Sequence, residues 1–125
     1  MSRKTVRVLL VDDHAVVREG YRTLLEKHEG LTVVGEASNA ASGYQTYKDT
    51  QPDVVIMDIS MPGRGGIDAI EHIRRFDAQA RILVFTMHGR ASYALQAFRA
   101  GAKGYVTKSS PPDFLISAVR SVAEG

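Results

Sequence analysis

The 125 residues include no cysteine. That absence removes disulfide frameworks, thiolate metal sites and cysteine nucleophiles together, and it fits a cytoplasmic location. No apolar run approaches the roughly 20 residues that a membrane-spanning helix needs. Met1–Thr5 leads straight into the first apolar segment and is too short for a secretory leader. Proline is scarce, at four residues, and with the eleven glycines it falls mostly where turns are wanted. No repeat, linker or low-complexity tract interrupts the chain. Charge of one sign is also lacking, because a pI near 9.0 accompanies a net charge of only +2. The basic residues are scattered (Arg3, Lys4, Arg7, Arg74, Arg75, Arg90, Arg99, Lys103). They form no stripe with interleaved aromatics and no recognition helix, so they read as solvated surface and not as a direct nucleic-acid interface.

What is present is the composition of one soluble globular domain, 44% hydrophobic and 24% charged. Apolar runs of strand length at 5–12, 31–37, 53–59, 81–86 and 103–107 alternate with helical segments at 14–28, 39–50, 66–76, 91–100 and 111–123. The runs are rich in Val, Ile and Leu with little polar alternation, as in parallel strands covered on both faces. Helical spacing is clearest for Ala91, Ala94, Leu95 and Phe98, and for Phe114, Leu115, Ala118, Val119 and Val122. Ser110-Pro111-Pro112-Asp113 predicts an N-cap serine followed by proline at the first helical position, and Gly101 predicts a helix C-cap. The second helix is the weakest, since Gly43 and Thr46 interrupt an apolar face made of little beyond Tyr44 and Tyr47. Five βα units in series predict an α/β fold, a doubly wound five-stranded parallel sheet in the order 2-1-3-4-5, flavodoxin-like.

That order brings strand 1 beside strand 3 and sets Asp12, Asp13 and Asp58 together at the switch point, where open α/β sheets bind ligands. Asp13 precedes a helix and alone reads as an N-cap worth about 1 kcal/mol. Two carboxylates about 4 Å apart, however, repel by roughly 4 kcal/mol at an effective dielectric near 20. Capping does not offset that, so a cationic partner is expected. Mg²⁺ suits oxygen ligands from one or two carboxylates and leaves room for a phosphate. Lys108, ending the last strand, supplies a second and permanent cation, and Thr86, ending the fourth, places a hydroxyl at the same edge. Together these residues form a site for a phosphoryl group carried on a carboxylate, with Mg²⁺, Lys108 and the Thr86 hydroxyl meeting its oxygens.

Four motifs sharpen this reading: Leu10-Val11-Asp12-Asp13-His14, Met57-Asp58-Ile59-Ser60-Met61-Pro62-Gly63, Thr86-Met87-His88, and Gly101-Ala102-Lys103-Gly104-Tyr105-Val106-Thr107-Lys108. Over essentially its whole length the chain resembles the receiver domain of two-component response regulators. Val17-Arg18-Glu19-Gly20 and Ser109-Ser110-Pro111-Pro112 resemble the LuxR/NarL-type subfamily. The resemblance implies that Asp58 accepts a phosphoryl group from a sensor histidine kinase. Asp13, Asp58 and the Ser60 backbone carbonyl would bind Mg²⁺ directly and Asp12 through water. Thr86 and Tyr105 would be the switch pair that remodels the face of helix 4, strand 5 and helix 5, with Met87 and His88 tuning access to the site. It further implies a helix-turn-helix output domain, expected to be absent from these 125 residues, transcriptional output through that domain, and a homodimer formed on phosphorylation.

Two departures from the family pattern stand out. Gly65 replaces an Asp or Asn that caps helix 3, so Gly63, Gly65 and Gly66 are expected to loosen that loop. Ser109 replaces a proline that often follows a cis bond, and a cis Lys108–Ser109 bond would cost about 3 kcal/mol more than trans. The four histidines, His14, His28, His72 and His88, show no metal-ligand spacing and read as surface or near-site residues. Three other readings compete. A haloacid-dehalogenase-type phosphatase needs an acid two residues after its nucleophile, where Ser60 stands. A flavin mononucleotide binder needs a Ser/Thr/Gly-rich phosphate loop after strand 1, where Asp12 and Asp13 would repel phosphate. A docking module of the same fold differs only in an inert pocket. The expectation is a phosphorylation-dependent switch and not a turnover enzyme.

Overall fold

The computed structural model describes residues 5–61, 65–87 and 91–125. Its elements alternate throughout: β1 (Val6–Val11), α1 (Ala15–Glu26), β2 (Leu31–Ala37), α2 (Ala40–Thr50), β3 (Val54–Met57), α3 (Gly65–Phe76), β4 (Ile82–Thr86), α4 (Ala91–Ala100), β5 (Gly104–Thr107) and α5 (Pro112–Glu124). All strand pairs are parallel and the order is β2-β1-β3-β4-β5, as the βα periodicity predicts.

Successive side chains of a strand point to opposite faces, and the core divides accordingly. Leu9, Val11, Val55, Met57, Ile82 and Val84 pack with Tyr47 of α2, Ile70 and Ile73 of α3, and Ala97 of α4. Val8, Leu10, Val54, Ile56, Leu83 and Phe85 pack with Leu25 of α1 and with Leu115, Val119 and Val122 of α5. The central strands β3 and β4 are buried along their whole length, whereas β5 and most of β2, the sheet edges, are only half-buried.

The weak second helix is held by specific contacts. Asn39 caps it by accepting the Ser42 N–H at 2.8 Å. Gly43 permits the helix to lie on β1, since a Cβ there would come within 3.2 Å of Val11. Gly101 takes φ +120° at the end of α4, as a C-cap glycine does.

Several local expectations change. α5 begins one residue late: Pro111 occupies the N-cap position without a side-chain cap bond, and Pro112 is the first helical residue. The Ser110 hydroxyl lies 3.1 Å from that of Thr107 instead. Asp13 does not cap α1. His14 holds the N-cap position, and its N–H donates to Asp12 Oδ1 at 2.8 Å. Gly66 does not loosen the turn into α3. A Cβ there would sit 2.6 Å from both the Asp58 carbonyl oxygen and Ile59 Cα, so the glycine lets the helix press against the backbone after β3. Gly63 lies outside the described residues. Among the described residues no peptide bond is cis, that between Lys108 and Ser109 included.

Candidate functional site

Three residues just past the strand ends are fixed by extensions of the sheet's own hydrogen bonding. The Asp12 N–H donates to Ala37 O of β2 at 3.0 Å, the Asp58 N–H to Val11 O of β1 at 2.9 Å, and the Lys108 N–H to Thr86 O of β4 at 2.7 Å. The sheet order therefore delivers two acids and a lysine to one edge before any side chain interacts.

Their side chains then meet out of water. Lys108 Nζ donates to Asp12 Oδ2 at 2.7 Å and to Asp58 Oδ2 at 3.3 Å. Side-chain exposure is 6% for Lys108, 8% for Asp12 and 2% for Asp58, so the cluster lies in a poorly screened environment. Burial pushes the Lys108 ammonium toward losing its proton. The Asp12 hydrogen bond and the charges of Asp58 and Asp12 outweigh that, and its pKa stands above the ordinary lysine value. The remaining Asp58 oxygen, Oδ1, accepts the Ser60 N–H at 2.8 Å.

Asp13 is more open, and its Oδ1 lies 3.0 Å from His14 Nδ1, which is also 3.3 Å from Asp12 Oδ1. Ligand atoms of Asp12, Asp13, His14 and Asp58 all fall within 4.8 Å of one another. With two of its three carboxylates sharing one lysine, the cluster is short of positive charge, and hard oxygen donors suit Mg²⁺. His14, read from the sequence as a near-site residue without metal spacing, thus joins the acid cluster. Its adjacency to Asp12 and Asp13 was the available signal.

Thr86 is fully buried, and its Oγ1 lies 2.7 Å from Ser60 Oγ. Ser60 thereby reaches Asp58 through its amide and Thr86 through its hydroxyl, whereas the sequence reading assigned it only a backbone carbonyl. Tyr105 lies on β5, half-buried, with its ring 6.5 Å from that of Phe98. Burial, and next the neighbouring Tyr93, raise its pKa. Met87 is 69% exposed, and His88 lies outside the described residues.

The sheet order and the polar cluster at its switch point define the class: a flavodoxin-like, doubly wound domain with its acids at the carboxyl edge of the sheet. Within that class the chain belongs to the response regulator receiver domain family, whose model matches residues 8–120. It is similar to the response regulator UvrY of Escherichia coli K12, at 42% identity over 120 residues, covering 96% of this chain and 55% of that protein. Similarity to the oxygen regulatory protein NreC of Staphylococcus carnosus is 40% over 121 residues, covering 96% and 56%. The crystal structure of a LuxR-family two-component response regulator from Aurantimonas sp. SI85-9A1 superposes with a TM-score of 0.94 at 53% identity, covering 98% of this chain and 87% of that one. These likenesses make the chain a LuxR/NarL-type receiver of two-component signalling. The chain spans about half the length of the curated relatives it matches. No helix among the described residues is long and apolar enough to cross a membrane.

Proposed function

We propose that this domain is a phosphorylation-dependent switch whose acceptor is Asp58. The observation that carries the reading is the pair of buried carboxylates sharing the single ammonium of Lys108 at the strand ends. A charge excess of that kind has no packing purpose and suits a site that receives cationic and phosphoryl groups.

In the transfer, a carboxylate oxygen of Asp58 forms the new P–O bond to a phosphohistidine of a sensor kinase. The P–N bond breaks and its electron pair returns to the kinase imidazole. Lys108 and the Thr86 hydroxyl face oxygens of the transferred group, a preorganised arrangement that needs no reorganisation as charge develops. Asp13, Asp58 and the Ser60 carbonyl would hold Mg²⁺, with Asp12 acting through water. Bound there, the ion supplies charge neutralisation for the phosphoryl oxygens.

The product carries a new charge near −2 at the edge of the sheet. Thr86 moves toward it, Tyr105 turns into the space released, and the surface of α4, β5 and α5 changes. That surface already exposes Leu95, Phe98 and Phe114. The full-length protein is then a cytoplasmic transcription regulator whose DNA-binding output domain, and homodimer, respond to this face. Met87 and His88 tune access to the site and phosphate lifetime.

Intact mass after incubation with Mg²⁺ and a small acyl phosphate tests the reading, with Asp58→Asn as control. One phosphoryl group, added only when Mg²⁺ and Asp58 are both present, is the expected result. No adduct with any donor, while Mg²⁺ binding is shown separately, would make the chain a phosphorylation-independent docking module.

A further inference from the structure

The hydroxyl of Ser60 is left without a role by the phosphoryl chemistry, yet it makes a close side-chain contact with Thr86, 2.7 Å between Oγ atoms. Both residues sit on structures that cannot easily drift. Thr86 is fully buried at the end of β4. Ser60 is pinned from the other side by its own N–H, which donates to Asp58 Oδ1 at 2.8 Å. Ile59 is pressed by α3, because only a glycine fits at position 66 against its backbone. The contact therefore spans two fixed frames, the backbone after β3 and the end of β4.

We propose that Ser60 is a positioning residue, a latch that holds Thr86 in the arrangement seen here and competes with the phosphoryl group for its hydroxyl. The inference rests on the phospho-acceptor reading and adds to it a determinant of how readily the switch throws. Movement of Thr86 toward a group on Asp58 breaks the Ser60 contact, so that contact favours the arrangement before phosphorylation. A ligand shifts a two-state equilibrium only by its differential affinity for the two states. Removing a bond made in one of them shifts the resting balance toward the other. A hydrogen bond of ordinary net strength corresponds to about a two- to tenfold change in that balance. Truncating the side chain leaves the Ser60 amide on Asp58 and its carbonyl in place, which separates the latch from Ser60's backbone roles.

The test uses beryllofluoride with Mg²⁺ as the phosphoryl mimic, titrated into ¹⁵N-labelled wild type, Ser60→Ala, Ser60→Thr, Thr86→Ala and the Ser60→Ala/Thr86→Ala double variant. Before any mimic is added, the β4 and β5 amide resonances of Ser60→Ala should already lie displaced toward their mimic-bound positions. Its apparent affinity should rise about two- to tenfold. Ser60→Thr, which keeps the hydroxyl, should follow the wild type. In the Thr86→Ala background the Ser60→Ala change should have no further effect, a coupling that a merely structural serine would not show. The latch is overturned if Ser60→Ala leaves resonances and affinity unmoved, if it weakens mimic binding, or if its effect persists without Thr86. Failure of every protein, wild type included, to take up the mimic would instead overturn the phospho-acceptor reading and the latch with it.

Discussion

Two polar arrangements lie on the same sheet scaffold and behave as opposites. Between α2 and the α3–β4 turn, the Tyr47 hydroxyl donates to Asp77 Oδ2 at 2.7 Å, while Asp77 Oδ1 accepts the Gln79 N–H at 2.9 Å. Each donor there meets an acceptor, and the charges acting on Tyr47 are one of each sign, Asp77 and Arg74. At the carboxyl edge, Asp12 and Asp58 share Lys108, and Asp13 and His14 lie in the same acid cluster. Hydrogen bonding is satisfied there too, since no buried side-chain polar atom among the described residues lacks a partner. Charge is not balanced. Satisfied bonds with balanced charge mark a staple between elements, whereas satisfied bonds with surplus charge mark a place kept ready for something else.

The comparison breaks most severely at Lys108. Removing one partner of a buried ion pair leaves uncompensated charge and typically costs 3–5 kcal/mol. In Lys108→Ala, Asp12 and Asp58 lose their common cation, so a loss of about 3–5 kcal/mol is expected in denaturant unfolding without divalent ions. Millimolar Mg²⁺ should recover part of it, because a ligand that binds only the folded state stabilises by mass action. A variant as stable as the wild type under both conditions would show that the acids were never strained.

Gly66→Ala tests the frame beneath the site. The added methyl has 2.6 Å to the Asp58 carbonyl oxygen, and overpacking of this kind costs about 1–3 kcal/mol. Slower uptake of phosphoryl groups from an acyl phosphate should accompany the lower midpoint, since the backbone carrying Asp58 has to shift. Normal stability with normal uptake would return Gly66 to the role of a loose turn residue.

Gly66 also shows where the sequence stopped being legible. Asp12, Asp58 and Lys108 could be placed from the chain alone because strand ends and sheet order set their positions, and the backbone bonds just beyond each strand hold them there. Buried runs such as Val54–Met57 gave their strand away by composition. The Ser60–Thr86 contact, the turning of His14 onto Asp13 and the press of α3 on Ile59 depend on approach between segments far apart in sequence or on a single rotamer. No local pattern encodes those. The start of α5 slipped by one residue because Pro111 and Pro112 are both acceptable first-turn residues, and the choice between them is tertiary.

On the staple side, Tyr47→Phe removes the donor to Asp77 and should cost about 1 kcal/mol at neutral pH. Burial first, then the hydrogen bond and charge of Asp77, raise the Tyr47 pKa above its ordinary value. The folded state therefore keeps that proton longer than the unfolded chain. The associated stability is complete below the unfolded value, about 10, and is lost as pH rises from there through the raised folded value. Lys108, also raised, adds to the same alkaline loss in both proteins. The difference between wild type and Tyr47→Phe should accordingly shrink above about pH 10, and a constant difference across that range would assign Tyr47 a packing role alone.

The smallest effect is the most discriminating, because its sign is reversed. Asp58→Asn keeps the shape of the side chain and an acceptor for the Ser60 amide, while removing a nearly fully buried charge from beside two other carboxylates. It also weakens the attraction of Lys108 across 3.3 Å. The Asp12–Lys108 bond at 2.7 Å is the closer of the two and persists, so the lysine stays paired. Relief of desolvation and of repulsion should then exceed the lost attraction, raising stability by up to about 1 kcal/mol in metal-free buffer. Added Mg²⁺ should stabilise the wild type more than this variant and so narrow or invert the gap. A functional acid whose neutralisation strengthens the fold, set against a tyrosine whose truncation weakens it, would separate the two regions by the sign of one unfolding measurement. A destabilised Asp58→Asn protein would instead make the acid–lysine cluster a structural staple like Tyr47–Asp77.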